Sequence, residues 1–165
     1  MMMTPLKDSC GRPLGPFSVI RERQRSYPVD VGGLAHDFGI SVIRKDWPDD
    51  LSGAIGKDDK GYFIVVNAKH SEERQRFTIA HEIAHYVLHR DRIGKDGIKD
   101  GLLYRSKLSD IDERAANRLA ADILMPADML GRAAADAGGL KNLDQVAANL
   151  KVSRTALSIR LGLPT

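Results

Sequence analysis

The chain has 165 residues, 42% of them hydrophobic, which suffices for one compact core and leaves little for a second. Its 25 basic and 22 acidic side chains are spread along the sequence and leave a net charge of +3, so the dense basic block that advertises nucleic acid is excluded. A single cysteine, Cys10, excludes an internal disulfide, and no apolar run has the length of a signal peptide or a membrane span; a soluble cytoplasmic protein is expected.

Positions 1–28 carry Pro5, Pro13, Pro16 and Pro28 and the charged run RERQR, and are expected to form a poorly ordered arm with at most one short helix. Next, VDVGGLAHDFGI places Val31, Leu34, Ala35 and Phe38 at helical spacing before Gly39, which suits a short helix closed by glycine. Strands are expected at 40–43, 52–56 and 62–66, with KDDKG as a hairpin loop between the last two, giving a small antiparallel sheet. A central helix starts after Ser71, has Glu72 and Glu73 in its first turn, and runs to about His89. Its apolar residues cover more than one stripe, so it is buried on several sides. The Gly-rich stretch 90–107 reads as a long loop and a candidate lid. Ser109 and Asp112 form a variant capping box for a helix that ends at Pro126, which also suits the start of another helix stopping at Gly138 and Gly139. The tail, 143–161, reads as two short helices joined near 151–153. No internal repeat is present.

The chemistry is concentrated in HEIAH, 81–85. His81 and His85, four residues apart on a helix, project from one face and can share a tetrahedral metal, while Glu82 between them can take a proton from a water beside it. Hydrolytic sites of this kind keep three protein ligands and one open position. A third histidine six residues past the second is absent, since Leu88 and Asp91 occupy the glycine and histidine places of that pattern. His89 lies a further turn along the same helix, and three ligands on one straight helix cannot surround an ion, so His89 reads as a neighbour. Glu113, near the start of the next long helix, is the better third ligand, although a first-turn glutamate also has a purely structural role beside the helix dipole. Asn117, one turn later, is a candidate to hydrogen-bond the outer nitrogen of a ligating imidazole. Tyr86, Tyr104, Arg105 and His89 are all candidates to stabilise an oxyanion, with nothing in the sequence to choose between them.

The stretch NAKHSEERQRFTIAHEIAHYVLH joined to DERAANRLAADILMP resembles the ImmA/IrrE family of small intracellular metallopeptidases. Asn67, Arg76, Phe77, Thr78, His81, Glu82, His85, His89, Glu113, Ala116, Asn117, Leu124, Met125 and Pro126 carry the likeness, and Ala84 replaces the commoner glycine. The resemblance implies an α+β, zincin-like (gluzincin-type) fold, with one Zn2+ per chain held by His81, His85 and Glu113 and with Glu82 as catalytic base. It also implies a protein substrate, a helix-turn-helix repressor encoded nearby. The organisation expected is an arm at 1–28, a metallopeptidase domain at 29–138 and a helical hairpin at 139–165 packed on it. That tail has the shape of a helix-turn-helix, but Lys151 occupies the usual glycine position and basic residues are few, so packing is favoured over DNA contact. A catalytically silent binding module or toxin component, and a DNA-binding regulator, are the alternatives to a peptidase.

Overall fold

The structure is a computed structural model that describes residues 6–94 and 109–165. Seven helices and one three-stranded sheet make up the described residues: α1 (Pro16–Arg23), α2 (Val31–Asp37), β1 (Ile40–Lys45), β2 (Gly53–Asp58), β3 (Gly61–Asn67), α3 (Glu72–His89), α4 (Asp110–Leu124), α5 (Ala127–Asp136), α6 (Leu143–Leu150) and α7 (Arg154–Leu161). Arg90–Arg92 add one 3-10 turn after α3, while positions 95–107 of the expected lid lie outside the described residues.

The sheet corrects the antiparallel expectation. Its order is β1-β3-β2, with β1 parallel and β2 antiparallel to β3. The strand directions are those of a three-strand meander; what differs is which strand lies in the middle. Phe63, Ile64, Val65 and Val66 of β3 are all buried, so both faces and both edges of this strand need cover. By contrast, β2 has glycines at positions 53 and 56 and one large apolar residue, Ile55, and is suited to an edge. Gly53 and Gly56 also allow close approach: a Cβ at Gly56 would meet the Phe63 ring at 2.6 Å. The connection from β1 to β2 is held by Asn67, fully buried at the end of β3, whose amide nitrogen donates to the carbonyls of Trp47, Pro48 and Leu51 at 2.8–3.2 Å. Its Oδ1 accepts from the Lys69 amide at 3.0 Å, so the side chain replaces the backbone pairs that this loop cannot make.

In α3 the Ser71 hydroxyl accepts from the Arg74 amide, and every residue from Thr78 to His85 is buried. This helix packs on the sheet on one side and on α4 on the other. At the head of α4 the capping box is reciprocal: Ser109 Oγ accepts from the Asp112 amide at 3.2 Å, and Asp112 Oδ2 from the Ser109 amide at 3.1 Å. Pro126 serves as the N-cap of α5, and Gly138 and Gly139, at φ of +78° and +117°, follow its end.

The segment expected as a poorly ordered arm contributes to the core instead. Val19 and Ile20 of α1 belong to one apolar cluster with Leu34, Ile64, Ile83, Ile123, Met129 and Leu157. Gln24 donates to the carbonyls of Asp122 and Ile123 at 2.8 and 3.1 Å, partnering groups that the end of α4 leaves open. Arg23 grips Asp37 with two nitrogens, which joins α1 to the end of α2. At the other end of the chain, Arg76 donates to the Val29 carbonyl at 2.8 Å and the Lys151 carbonyl at 3.2 Å, and burial lowers its pKa from the ordinary arginine value. Lys151 itself takes the left-handed conformation, φ +51°, at the turn between α6 and α7.

Candidate metal centre

Two packed helices, α3 and α4, bring three side chains to one point. His81 and His85 Nε2 atoms are 3.0 Å apart, and each lies 3.3 Å from a Glu113 carboxylate oxygen, Oε2 for His81 and Oε1 for His85. Helical periodicity stacks the imidazoles on one face of α3, and the capping box sets where α4 begins and hence where Glu113, in its first turn, points. Exposure falls inward: the Glu113 side chain is 35% accessible, His81 11% and His85 2%. The approach is therefore from the Glu113 side, where a cavity of about 290 Å³ is lined by Ser52, Arg74, Phe77, Thr78, His81, Glu113 and Asn117. A larger groove of about 880 Å³ between α3, α4 and α7 shares Arg74, Phe77 and Asn117 with it.

The donor set fits a divalent cation. Metal–nitrogen and metal–oxygen bonds of about 2.0–2.1 Å in a tetrahedron put ligand atoms about 3.3 Å apart, the separation seen here. Glu113 Oε1 is buried with no hydrogen-bond donor among the described residues, an arrangement that costs free energy unless a cation faces it. The two imidazole nitrogens and the carboxylate face one another closely enough to share a proton or a metal ion between them. Among the described residues, His81, His85 and Glu113 are the group whose donor atoms lie within 4.8 Å of one another. Glu82 is buried on α3 between the two histidines.

The neighbours of the ligands differ in part from the sequence expectations. His89 Nδ1 lies 3.2 Å from His85 Nδ1, so it is His89 that faces the outer nitrogen of a candidate ligand. Asn117 does not take that part for His81, whose Nδ1 has no hydrogen-bond partner among the described residues; it lines the cavity instead. Tyr86 packs its ring against Tyr62 and Phe38, at 4.9 and 5.5 Å, and its hydroxyl accepts from Arg90, so its place is the aromatic cluster over the sheet and not the cavity wall. Tyr104 and Arg105 lie outside the described residues. Sequence reasoning missed Asp112 as a site neighbour: its Oδ1 is 3.2 Å from His89 Nε2, and Arg92 pairs with its Oδ2 at 2.8 Å. Hydrogen bonds from the Ser109 side chain and backbone, then Arg92, hold its pKa down from 3.8 to about 2. Its cap position alone gave no sign of this second contact. In the tail, Lys151, Arg154 and Arg160 are paired with Glu72, Asp144 and Asp122 at 2.7–2.9 Å, and Val146, Leu150, Val152 and Leu157 are in the core.

Fold and donor set together define an α+β domain organised around a His–His–Glu centre with both histidines buried and the glutamate part-exposed. The chain belongs to the family described as the IrrE N-terminal-like domain, Peptidase_M78, whose model matches residues 35–162. The radiation response metalloprotease IrrE of Deinococcus deserti is 36% identical over 76 residues, which are 44% of this chain and 26% of that protein. A solved structure, a Mycobacterium tuberculosis transcriptional regulator, superposes with a TM-score of 0.59 at 20% identity, covering 90% of this chain and 46% of that one; this is a likeness of fold. The chain thus spans about a quarter of the curated relative and under half of the solved structure. No described helix is long and apolar enough to cross a membrane.

Proposed function

We propose that this chain is a zinc-dependent endopeptidase that acts in the cytoplasm on a regulatory protein, a helix-turn-helix repressor encoded nearby. The observation that carries the reading is the convergence of His81, His85 and Glu113 donor atoms at 3.0–3.3 Å where α3 packs against α4. A zinc ion there would act as a Lewis acid on a peptide carbonyl and bring the pKa of a water to about 7. Glu82 would take the proton from that water and deliver it to the departing amine, the role its place between the two histidines suits. The cavity wall of Arg74, Phe77 and Thr78 and the groove beyond it would hold the peptide on the accessible side of Glu113. A repressor as substrate rests on the resemblance of the motif-bearing segments, whereas the name of the relative, a radiation response metalloprotease, supports the peptidase reading. The pairing of Lys151, Arg154 and Arg160 with carboxylates argues against DNA contact through the tail.

The test is cleavage of the neighbouring repressor by purified protein, with and without chelator, beside the Glu82→Gln variant. Cleavage should need metal and vanish in Glu82→Gln, with one zinc per chain retained by metal analysis. Full activity of that variant would refute the mechanism, and restoration of the cellular phenotype by it would favour a silent binding module.

A further inference from the structure

Between His85 and the head of α4 runs a chain of contacts that the proposed hydrolysis does not use. His85 Nδ1 faces His89 Nδ1 at 3.2 Å, and His89 Nε2 faces Asp112 Oδ1 at 3.2 Å. The other oxygen of Asp112 accepts from Arg92 at 2.8 Å and from the Ser109 hydroxyl at 2.8 Å and amide at 3.1 Å. The chain of contacts is buried at its histidine end, where His89 is 8% exposed and His85 1%, and reaches the surface at Arg92 and Ser109.

Ligation of a metal by His85 Nε2 favours one arrangement of protons along these contacts. To ligate, through Nε2, a metal ion shared with Glu113, a neutral His85 must carry its proton on Nδ1. His89 must then accept at Nδ1 and carry its own proton on Nε2, where a carboxylate stands. The opposite form of His89 would set two N–H groups against each other and a lone pair against an anion, two unfavourable contacts at once. Asp112 also precedes Glu113 and closes the cap of α4, so one carboxylate steadies two of the three candidate ligands: His85 through His89, and Glu113 through the helix end.

We infer that His89 and Asp112 are positioning residues that set the orientation and basicity of the His85 imidazole and thereby how tightly this chain holds its metal. Groups that fix a ligating histidine from behind commonly change metal affinity about 10–100-fold when removed. The inference rests on the proposed metal site, and the experiment separates the two. Zinc is the probe, its affinity measured by competition with a chromophoric chelator. The variants are His89→Phe, which keeps an aromatic ring and removes both nitrogens, His89→Gln, whose amide can accept from His85 and donate to Asp112, and Asp112→Asn.

The unaltered chain should bind one zinc. His89→Phe should weaken binding about 10–100-fold, His89→Gln should recover most of that loss, and Asp112→Asn should fall between. Unfolding of the chelated proteins supplies the control for packing, and should be similar for the unaltered chain and His89→Gln. Should His89→Phe fail to fold, the contrast between His89→Gln and Asp112→Asn carries the test. Zinc binding by the unaltered chain with equal affinity in all variants overturns the positioning role alone. Equal losses in His89→Phe and His89→Gln that track chelated-state stability also overturn it, in favour of packing. No zinc binding by the unaltered chain overturns the metal site and this inference with it.

Discussion

Gly53→Ala probes the seat of the edge strand against the helix that carries both histidines. A Cβ at Gly53 would stand 2.4 Å from Thr78 Cγ2 and 2.7 Å from the Val65 carbonyl oxygen, where ordinary contact begins at 3.4 Å. Neither neighbour yields readily, because Thr78 is buried on α3 and Val65 is backbone of the central strand. Relief requires β2 to move by up to about 1 Å, and overpacking of this kind costs about 1–3 kcal/mol, here toward the upper end because one contact is with backbone. Alanine recovers about 0.5–1 kcal/mol through its smaller loss of backbone freedom on folding. The net loss is about 1–2 kcal/mol, or a fall in Tm of about 2–8 °C for a domain of this size. Thermal and urea unfolding of the chelated protein would measure it. Thr78→Ser removes the nearer methyl, so in the double variant the two losses should sum to less than their separate values, by about 0.5 kcal/mol or more. A Tm within 1 °C of the unaltered protein, or strict additivity with Thr78→Ser, would sink the packing argument (both thresholds being about the precision of such cycles).

Zinc at a hundred times its dissociation constant should stabilise the chain by about 2.7 kcal/mol. Chelation should accordingly lower Tm by about 5–11 °C, and Glu113→Ala should erase that difference; persistence of the full chelator effect in Glu113→Ala would remove this residue from the ligand set. Asn67→Asp replaces the donor shared by three carbonyls with an anion in a fully buried place, and urea unfolding should show a loss above about 3 kcal/mol; a midpoint close to that of the unaltered chain would contradict the bracing role of Asn67. Asp112 has its pKa lowered from 3.8 to about 2, so the stability it lends is complete above about pH 4 and is lost as pH falls toward 2. In chelator, the gap in stability between the unaltered chain and Asp112→Asn should therefore narrow across that window, and a gap constant with pH would count against the assignment.

Much of the centre was legible because its signals are local. HEIAH lies in a helix with a serine cap, and spacing alone sets two imidazoles on one face. The Ser109/Asp112 pair announced the start of α4, which made Glu113 a first-turn residue able to face α3. The middle strand was not legible, because a hairpin loop gives the direction of its strands and not which neighbour pairs with the free edge. Nor was the role of the first 28 residues, where four prolines mask the two apolar side chains and one glutamine that tie α1 to the core.

Local chemistry, then, determined what the amino-acid order could determine alone: helix ends and the shared face of His81 and His85. These depend on contacts within about one helical turn, where backbone geometry is known in advance. Only the packed chain decided that β3 runs between β1 and β2, that His89 and not Asn117 faces the outer nitrogen of His85, and that Asp112 reaches both the cap and His89. Those outcomes turn on which buried surfaces cover one another across long stretches of sequence, and residue spacing carries no record of that choice.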